Sequence, residues 1–340
     1  MGGGSKAMSL AVSPGATYQA IVDKGESLCT ESLVKIFALS TFAGCFIGFG
    51  ALLSLTIGGS ILPAVASHGS GLQTWVYAAL FPVNLLFILL SGSILYTGAT
   101  FTTPSAVIEG RAVWYRSVFV ICVSWAGNMV GGWGFAIFTD WCGLNDGAVA
   151  EYVVKIAISK VSKGWGKIFL RGIGCNWLVC MAVFLCTMAQ DMTGKYVGIF
   201  FPISTFVACG FEHYPANAYA LPLAVLALQK DEYNTPEGPG FGTMLWENLI
   251  PCSLGNLVAG VIIMSMGNSF FFGKLKTCPC LALGKKKEPT AEPTAAEPTP
   301  QQQAPPAQAP TAQPQLPAMP AGSQPDWTKS DSGFARTVSC

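Results

Sequence analysis

The stretch Val-Ala-Cys-Gly-Phe-Glu-His-Tyr-Pro-Ala-Asn, at residues 207–217, is a polar interruption of a long apolar segment. It places a glycine, a carboxylate, an imidazole, a proline and an amide within a few residues of one another. At bilayer depth, such groups are costly unless they face protein or a water-filled cavity. The stretch therefore predicts a membrane helix that breaks, with Glu212 and His213 as candidate functional residues at the break.

The composition of the whole chain is that of a membrane protein. Hydrophobic residues make up 51% of the sequence and charged residues 11%, whereas soluble domains carry about 25% charged residues. The net charge of +1 gives no reason to expect a nucleic-acid partner, and the expected surroundings are a lipid bilayer. The 12 cysteines show no metal-site or disulfide spacing, so we predict no metal and no cofactor.

Six apolar stretches are long enough to cross a bilayer, which takes about 20 residues per helix. They lie at 36–58, 75–91 with a continuation to about 110, 117–139, 169–189, 196–228 and 246–271. We expect an all-α polytopic membrane protein in three parts. These are a cytoplasmic N-terminal segment (1–35), a six-span domain (36–275) and a disordered cytoplasmic tail rich in Pro, Ala and Gln (276–340).

Basic residues indicate the orientation. With both termini on one side, six of the 19 lysines and arginines fall on the other side: Lys155, Lys160, Lys163, Lys167, Arg171 and Lys230. The other 13 lie with the termini, so the positive-inside rule places both termini on the cytoplasmic or stromal side. The plasma membrane and the chloroplast envelope both fit. The lack of an obvious transit peptide favours the plasma membrane slightly.

Two motifs recur in the second half of the membrane part. Gly-Asn-Met-Val-Gly-Gly at 127–132 returns as Gly-Asn-Leu-Val-Ala-Gly at 255–260, and Phe-Pro at 81–82 returns as Phe-Pro at 201–202. A unit of three spans is odd-numbered, so its second copy must run upside down relative to the first. The motifs therefore predict two inverted three-helix repeats with broken second and fifth helices. Chance similarity between small-residue helix contacts would explain the same motifs without a repeat.

The second span contains the matching break, at 91–98. Its sequence is Ser-Gly-Ser-Ile-Leu-Tyr-Thr-Gly, in which glycines flank hydroxyl and apolar residues. Glycine lets the chain leave helical geometry, and Thr97 offers a hydroxyl that donates or accepts a hydrogen bond. His213, in the fifth span, has a side chain suited to proton exchange or to hydrogen bonding with an anion. A polar link between helices is the alternative role for His213, and still more so for Glu212.

Four motifs together resemble the formate/nitrite transporter family. They are Gly-Phe-Glu-His at 210–213, followed by Ala-Asn at 216–217, Cys-Asn-Trp-Leu-Val-Cys at 175–180, Asn-Leu-Ile-Pro at 248–251, and Gly-Asn at 255–256. The resemblance covers roughly residues 25–275. It implies an aquaporin-like protomer with its own pore, assembly into homopentamers, and passage of small monovalent weak-acid anions such as nitrite, formate or bicarbonate, with protons.

The resemblance also implies roles for particular residues. His213 corresponds to the central histidine of the family and Thr97 to its partner, with Asn176 and Asn256 as amides near the centre. The outer constriction corresponds to Phe81 and Phe206, the inner one to Leu85, Leu95 and Tyr96, and the outer-vestibule lysine to Lys160. The sequence departs from the family pattern at Ile94, Tyr96, Tyr214 and Pro215. The long tail is similar to that of algal members.

Other functions remain open from the sequence alone. A water or glycerol channel would share the inverted repeat, but its paired Asn-Pro-Ala signature does not occur. A sensor or scaffold working through the tail would need no pore. An intramembrane enzyme built on Glu212 and His213 would need a nucleophile or a metal set, and no suitable spacing is present, so we expect no enzymatic activity.

Overall fold

The computed structural model describes residues 9–61 and 71–277, and within them the chain is almost entirely helical. The helices are α1 (Pro14–Thr30), α2 (Leu33–Ser60), α3 (Gly71–Leu80), α4 (Val83–Ser91), α5 (Tyr96–Ile108), α6 (Trp114–Trp141), α7 (Gly147–Val161), α8 (Trp165–Met188), α9 (Met192–Ala208), α10 (Tyr214–Ala227) and α11 (Phe241–Phe272). α11 is continuous but contains two π-helical stretches, Met244–Leu249 and Ala259–Met266. The predicted tail lies outside the described residues from 278 onward.

Five segments of the described chain are long and apolar enough to span a membrane: Leu33–Ser60, Gly71–Ser91, Trp114–Trp141, Trp165–Met188 and Phe241–Phe272. The remaining apolar stretch is divided between α9, of 17 residues, and α10, of 14, because it breaks at 209–213. Neither half reaches the length of a full span by itself. These elements confirm the predicted all-α polytopic fold with broken second and fifth helices.

Two helices, α1 and α7, were not predicted, because each is too short to be recognised as a span. Ser13 caps α1 by accepting a hydrogen bond from the backbone N–H of Ala16. Both helices bury one apolar face whose residues recur at intervals of three and four, the spacing of an amphipathic helix. These residues are Tyr18, Ile21, Val22 and Leu28 in α1, and Ala150, Val153, Val154 and Ala157 in α7.

Asn128, on α6, holds the first helix break in place. Its carboxamide oxygen accepts a hydrogen bond from the backbone N–H of Tyr96 at 2.8 Å. Its nitrogen donates to the carbonyls of Ile94, at 3.0 Å, and of Ser40 on α2, at 2.8 Å. One buried side chain thereby satisfies backbone groups that the break leaves without helical partners.

Asn256, on α11, does the same at the second break. Its oxygen accepts from the N–H of Tyr214 at 3.0 Å, and its nitrogen donates to the carbonyls of Glu212, at 3.1 Å, and of Gly172 on α8, at 2.8 Å. The two asparagines occupy the same place in the recurring Gly-Asn motif. The repeat is therefore structural, and its function is to support the two breaks.

The two copies run in opposite directions through the fold. Arg116, at the start of α6, donates to the carbonyl of Cys29 at the end of α1. Ser269, near the end of α11, donates to Glu109, which also accepts from Tyr18 of α1. The start of α6 and the end of α11 therefore lie on the same side as α1, as an inverted repeat requires.

The Phe-Pro part of the predicted repeat is wrong in register. Tyr96 and Tyr214, which follow the equivalent breaks, are 118 residues apart, whereas Phe81 and Phe201 are 120 apart. Phe81 is buried between α3 and α4, while Phe201 lies within α9 with 63% of its surface exposed. The shared dipeptide therefore marks two different environments.

We call Asn128 and Asn256 the clamp asparagines, because each holds one helix break in place. We predict that replacing either of them by leucine strongly destabilises the protein. Each of Asn128→Leu and Asn256→Leu removes three hydrogen bonds, and each buried backbone group left without a partner costs about 1–3 kcal/mol. Thermal unfolding of the detergent-purified protein measures the effect. Asn268→Leu is the control, because that amide donates only within its own helix, to Met264. Equal melting temperatures for all three variants would contradict the clamp role.

Candidate functional site

The two breaks bring Leu95 and His213 to equivalent positions. Gly92 and Gly210 have φ angles of 76° and 69°, in the left-handed region that favours glycine, and each lies four residues before the next half-helix begins. Leu95 and His213 directly precede α5 and α10. Both side chains line a small void at the centre of the fold.

This central void is narrow and largely apolar. It is too narrow to admit a water-sized sphere, and its lining combines six apolar side chains with one amide and one imidazole. The lining residues are Phe81, Asn84, Leu85, Leu95, Val179, Ile203, Phe206 and His213. A polar solute could enter this space only if these side chains moved apart, and it would then exchange most of its hydration for contacts with them.

A larger cavity, the basic vestibule, adjoins the void on the side of α7 and has a volume of about 450 Å³. It shares Phe81, Phe206 and His213 with the void. Among the described residues that line it, the charged ones are four cations and one carboxylate: Lys155, Lys160, Lys163, Arg171 and Glu212. This mouth of the site therefore carries excess positive charge.

A second cavity, the α1 vestibule, adjoins the void from the opposite side. Its volume is about 380 Å³, and α1 forms part of its wall. It shares Leu85 and Leu95 with the void. The three spaces thus form a row, with an aromatic pair at one junction and a leucine pair at the other.

Each junction is closed by buried side chains. The rings of Phe81 and Phe206 meet edge to face, with centroids 6.1 Å apart and an interplanar angle of 83°. Leu85 and Leu95 are also buried. These four residues lie at the two junctions, and their role as constrictions stays a prediction.

His213 lines both the void and the basic vestibule, and Thr97, which lines none of the three spaces, contacts it from the side. Its Nε2 is 3.2 Å from the Thr97 hydroxyl, and its ring lies 5.4 Å from that of Phe206. Within the described part of the chain, its Nδ1 is buried without a hydrogen-bond partner. One imidazole nitrogen is thus held by the protein while the other remains available.

Glu212 faces the basic vestibule rather than the central void. Its carboxylate, 1% exposed, lies 2.8 Å from the Lys160 ammonium and 3.7 Å from that of Lys163. The amide nitrogens of Asn217 and Asn248 lie 2.8 and 3.4 Å from the carboxylate oxygen that Lys160 contacts. Burial lowers the pKa of Lys163, and the charge of Glu212 opposes that shift. Glu212 thereby compensates buried positive charge at the vestibule wall.

Asn176 and Asn256 lie behind the void and are absent from its lining. Asn176 donates to the hydroxyl of Thr100, at 2.9 Å, and to the carbonyl of Asn256, at 2.6 Å. The Asn256 carboxamide is occupied by backbone groups of the second break. The expectation that these amides line the pathway is therefore corrected. Their polar atoms are hydrogen-bonded to Thr100 and to backbone groups instead.

Tyr96 is likewise displaced from the inner constriction where it was expected. Its hydroxyl donates to the carbonyl of Ser253 on α11, at 2.9 Å, and its ring packs edge to face on Tyr214 with centroids 5.2 Å apart. It does not line the central void. Tyr96 is the first residue of α5 and its side chain points toward α11, whereas Leu95, directly before it, lines the void.

Three residues that line the void were missed by the sequence reasoning: Asn84, Val179 and Ile203. Val179 and Ile203 are indistinguishable from other apolar residues of a span. Asn84 had a usable signal, since it is a single amide in the otherwise apolar run 83–90.

The family model described as formate/nitrite transporter matches residues 15–270 of this chain. The chain belongs to the formate/nitrite transporter family. A probable formate transporter of Methanothermobacter thermautotrophicus is 34% identical over 272 residues, covering 74% of this chain and 94% of the relative. This formate/nitrite transporter family member is an integral multi-pass membrane protein, and the family consists of anion channels and transporters rather than enzymes.

Solved structures have the same fold. A chain described as an FNT family ion channel superposes with a TM-score of 0.67 at 25% identity, covering 75% of this chain and 98% of that one. A pentameric formate channel with formate bound gives 0.62 at 23% identity, with coverages of 71% and 98%. The match to the second of these is evidence for the fold alone.

We predict strong energetic coupling between Glu212 and Lys160. Removing one partner of a buried ion pair costs about 3–5 kcal/mol, because the remaining charge is left uncompensated. Glu212→Gln should therefore destabilise the family member strongly, and Lys160→Met added to it should cost much less than the sum of the two single changes. Thermal unfolding of the four proteins measures the coupling.

The exposed pair Lys35 and Glu31 is the matched control. Its double-mutant cycle should show no measurable coupling, because solvent screens exposed pairs. Additive effects at Glu212 and Lys160 would contradict the inferred compensation.

Proposed function

We propose that this chain conducts small monovalent weak-acid anions across the membrane, with formate, nitrite and bicarbonate as candidate substrates. The observation that carries the proposal is the row of three spaces, in which His213, hydrogen-bonded to Thr97, lines the central void. A path with a basic mouth and a dry, apolar centre suits a solute that changes its charge on the way through.

The central void opposes the passage of a bare anion. Desolvating an ion in such surroundings costs several kcal/mol, and the void holds no fixed cation among its lining residues. The membrane potential adds about 2.3 kcal/mol per charge for each 100 mV, against anions moving into a negative interior. The neutral acid avoids both barriers.

The basic vestibule has a complementary role at the mouth. Four cations against one carboxylate raise the local concentration of anions. We infer that this side is the outer one, which places both termini in the cytoplasm or stroma. Lys160 then acts at the outer vestibule, where the Glu212 carboxylate pairs with it and lies close to Lys163.

His213 receives the substrate in the void, and Thr97 holds its imidazole in place. With Nε2 bound to the Thr97 hydroxyl, the free Nδ1 of His213 is the imidazole atom available to hydrogen-bond the substrate or to exchange a proton with it. Phe81 and Phe206 form the outer constriction, and Leu85 and Leu95 the inner one. Asn176 holds the hydroxyl of Thr100, and Asn256 holds the backbone of the second break.

We further propose a homopentamer in which each protomer has its own pore. One solved structure with this fold is described as pentameric. Large apolar side chains are exposed on α2 and α6 of the single chain, and they suit contacts with lipid or with further copies: Phe42, Phe49, Phe119 and Phe138. The membrane we propose is the plasma membrane or a chloroplast envelope.

Uptake of formate, nitrite and bicarbonate into proteoliposomes, at mildly acidic and mildly alkaline pH, tests the function. We expect faster uptake at the acidic pH, because more substrate can cross as the neutral acid. His213→Ala should lower the rate and flatten its pH dependence. Thr205→Ala is the control, since this threonine is exposed on α9 and its hydroxyl bonds only to the carbonyl of Phe201.

Absence of uptake of all three anions by the wild type would overturn the proposed function. Equal rates and equal pH dependence in wild type and His213→Ala would remove the histidine from the mechanism.

A further inference from the structure

Asn84 is a polar residue of the central void to which no function has been assigned. It is the second residue of α4, just past the break at Phe81 and Pro82, and it is 1% exposed. Its side chain lines the void together with His213. These two residues carry the polar side chains of the void lining, which is otherwise apolar.

The amide nitrogen of Asn84 is buried without a hydrogen-bond partner in the part of the chain that the structure describes. Buried donors in native proteins are nearly always paired, and leaving one unpaired destabilises the fold. An unpaired donor at a functional site therefore points to a partner that binds there. The Nδ1 atom of His213 is unpaired in the same void.

The backbone of α2 keeps Asn84 at the edge of the void. Gly50 lies so close that a Cβ atom there would be 2.7 Å from the Asn84 Cβ and 3.0 Å from its Nδ2. The Asn84 side chain is thus packed against the α2 backbone on one side, while the residue lines the void on the other. A solute in the void would lie beside the amide.

We propose that Asn84 is a substrate-binding residue of the void and donates a hydrogen bond to an oxygen atom of the permeating weak acid or its anion. This inference rests on the proposed function. A neutral donor can bond an oxygen of the substrate in either of its charge states. A site that hydrogen-bonds a substrate oxygen discriminates against solutes that lack one.

The test compares Asn84→Leu and Asn84→Asp with Ser204→Ala in proteoliposomes, with formate as substrate. Leucine keeps a similar volume without the donor, and aspartate keeps the shape but adds negative charge. Ser204 is the matched control, because its hydroxyl is also buried without a partner among the described residues but does not line the void.

We expect Asn84→Leu to raise the half-saturation concentration for formate roughly tenfold, the effect of one lost hydrogen bond. Its melting temperature should equal or exceed that of the wild type, because an unpaired buried amide has been removed. Asn84→Asp should reduce uptake further at neutral pH, and Ser204→Ala should behave as the wild type.

The result that would overturn the inference is a wild-type half-saturation concentration in Asn84→Leu. So would unchanged uptake by Asn84→Asp, which keeps the test decisive even if the leucine variant does not fold. Failure of the wild type itself to take up formate, nitrite or bicarbonate would instead contradict the proposed function, so the two failures are distinguishable.

Discussion

Backbone groups freed by a helix break must find hydrogen-bond partners inside the membrane, and the structure depends on how Asn128 and Asn256 supply them. Each asparagine accepts from the first N–H of the new half-helix and donates to two carbonyls, one of them in the break itself. Water cannot take over this function in a hydrocarbon environment. Because the two clamps are equivalent, the breaks face each other and place Leu95 and His213 in one void.

The arrangement separates charge from the narrowest part of the path. Fixed cations line the basic vestibule, where Glu212 compensates part of their charge. The central void is lined by apolar side chains, one amide and one imidazole, with no lysine or arginine among them. A pathway of this kind attracts anions at its mouth and opposes their charge at its centre, which is why we propose that a proton accompanies the substrate.

Sequence reasoning reached the features that depend on composition and on unusual residues. The polar break containing His213 is unmistakable in an apolar span, and the structure brings it to Thr97. Sequence reasoning was less successful where the direction of a side chain decides whether the residue lines the void. The Tyr96 side chain points toward α11, although its neighbour Leu95 lines the void. The polar atoms of Asn256 are hydrogen-bonded to backbone groups. Asn84 stands out as a single amide in the apolar run 83–90, but the sequence does not show that its face of α4 meets the void.

The central claim is that charge does not cross the void with the substrate. Simultaneous recording of formate uptake and membrane current, in the same cells or liposomes and with the wild-type protein, tests it most directly. The account predicts substantial uptake with far less than one elementary charge moved per formate, over a range of membrane potentials. One charge moved per formate, with a rate that follows the membrane potential and ignores pH, would contradict it.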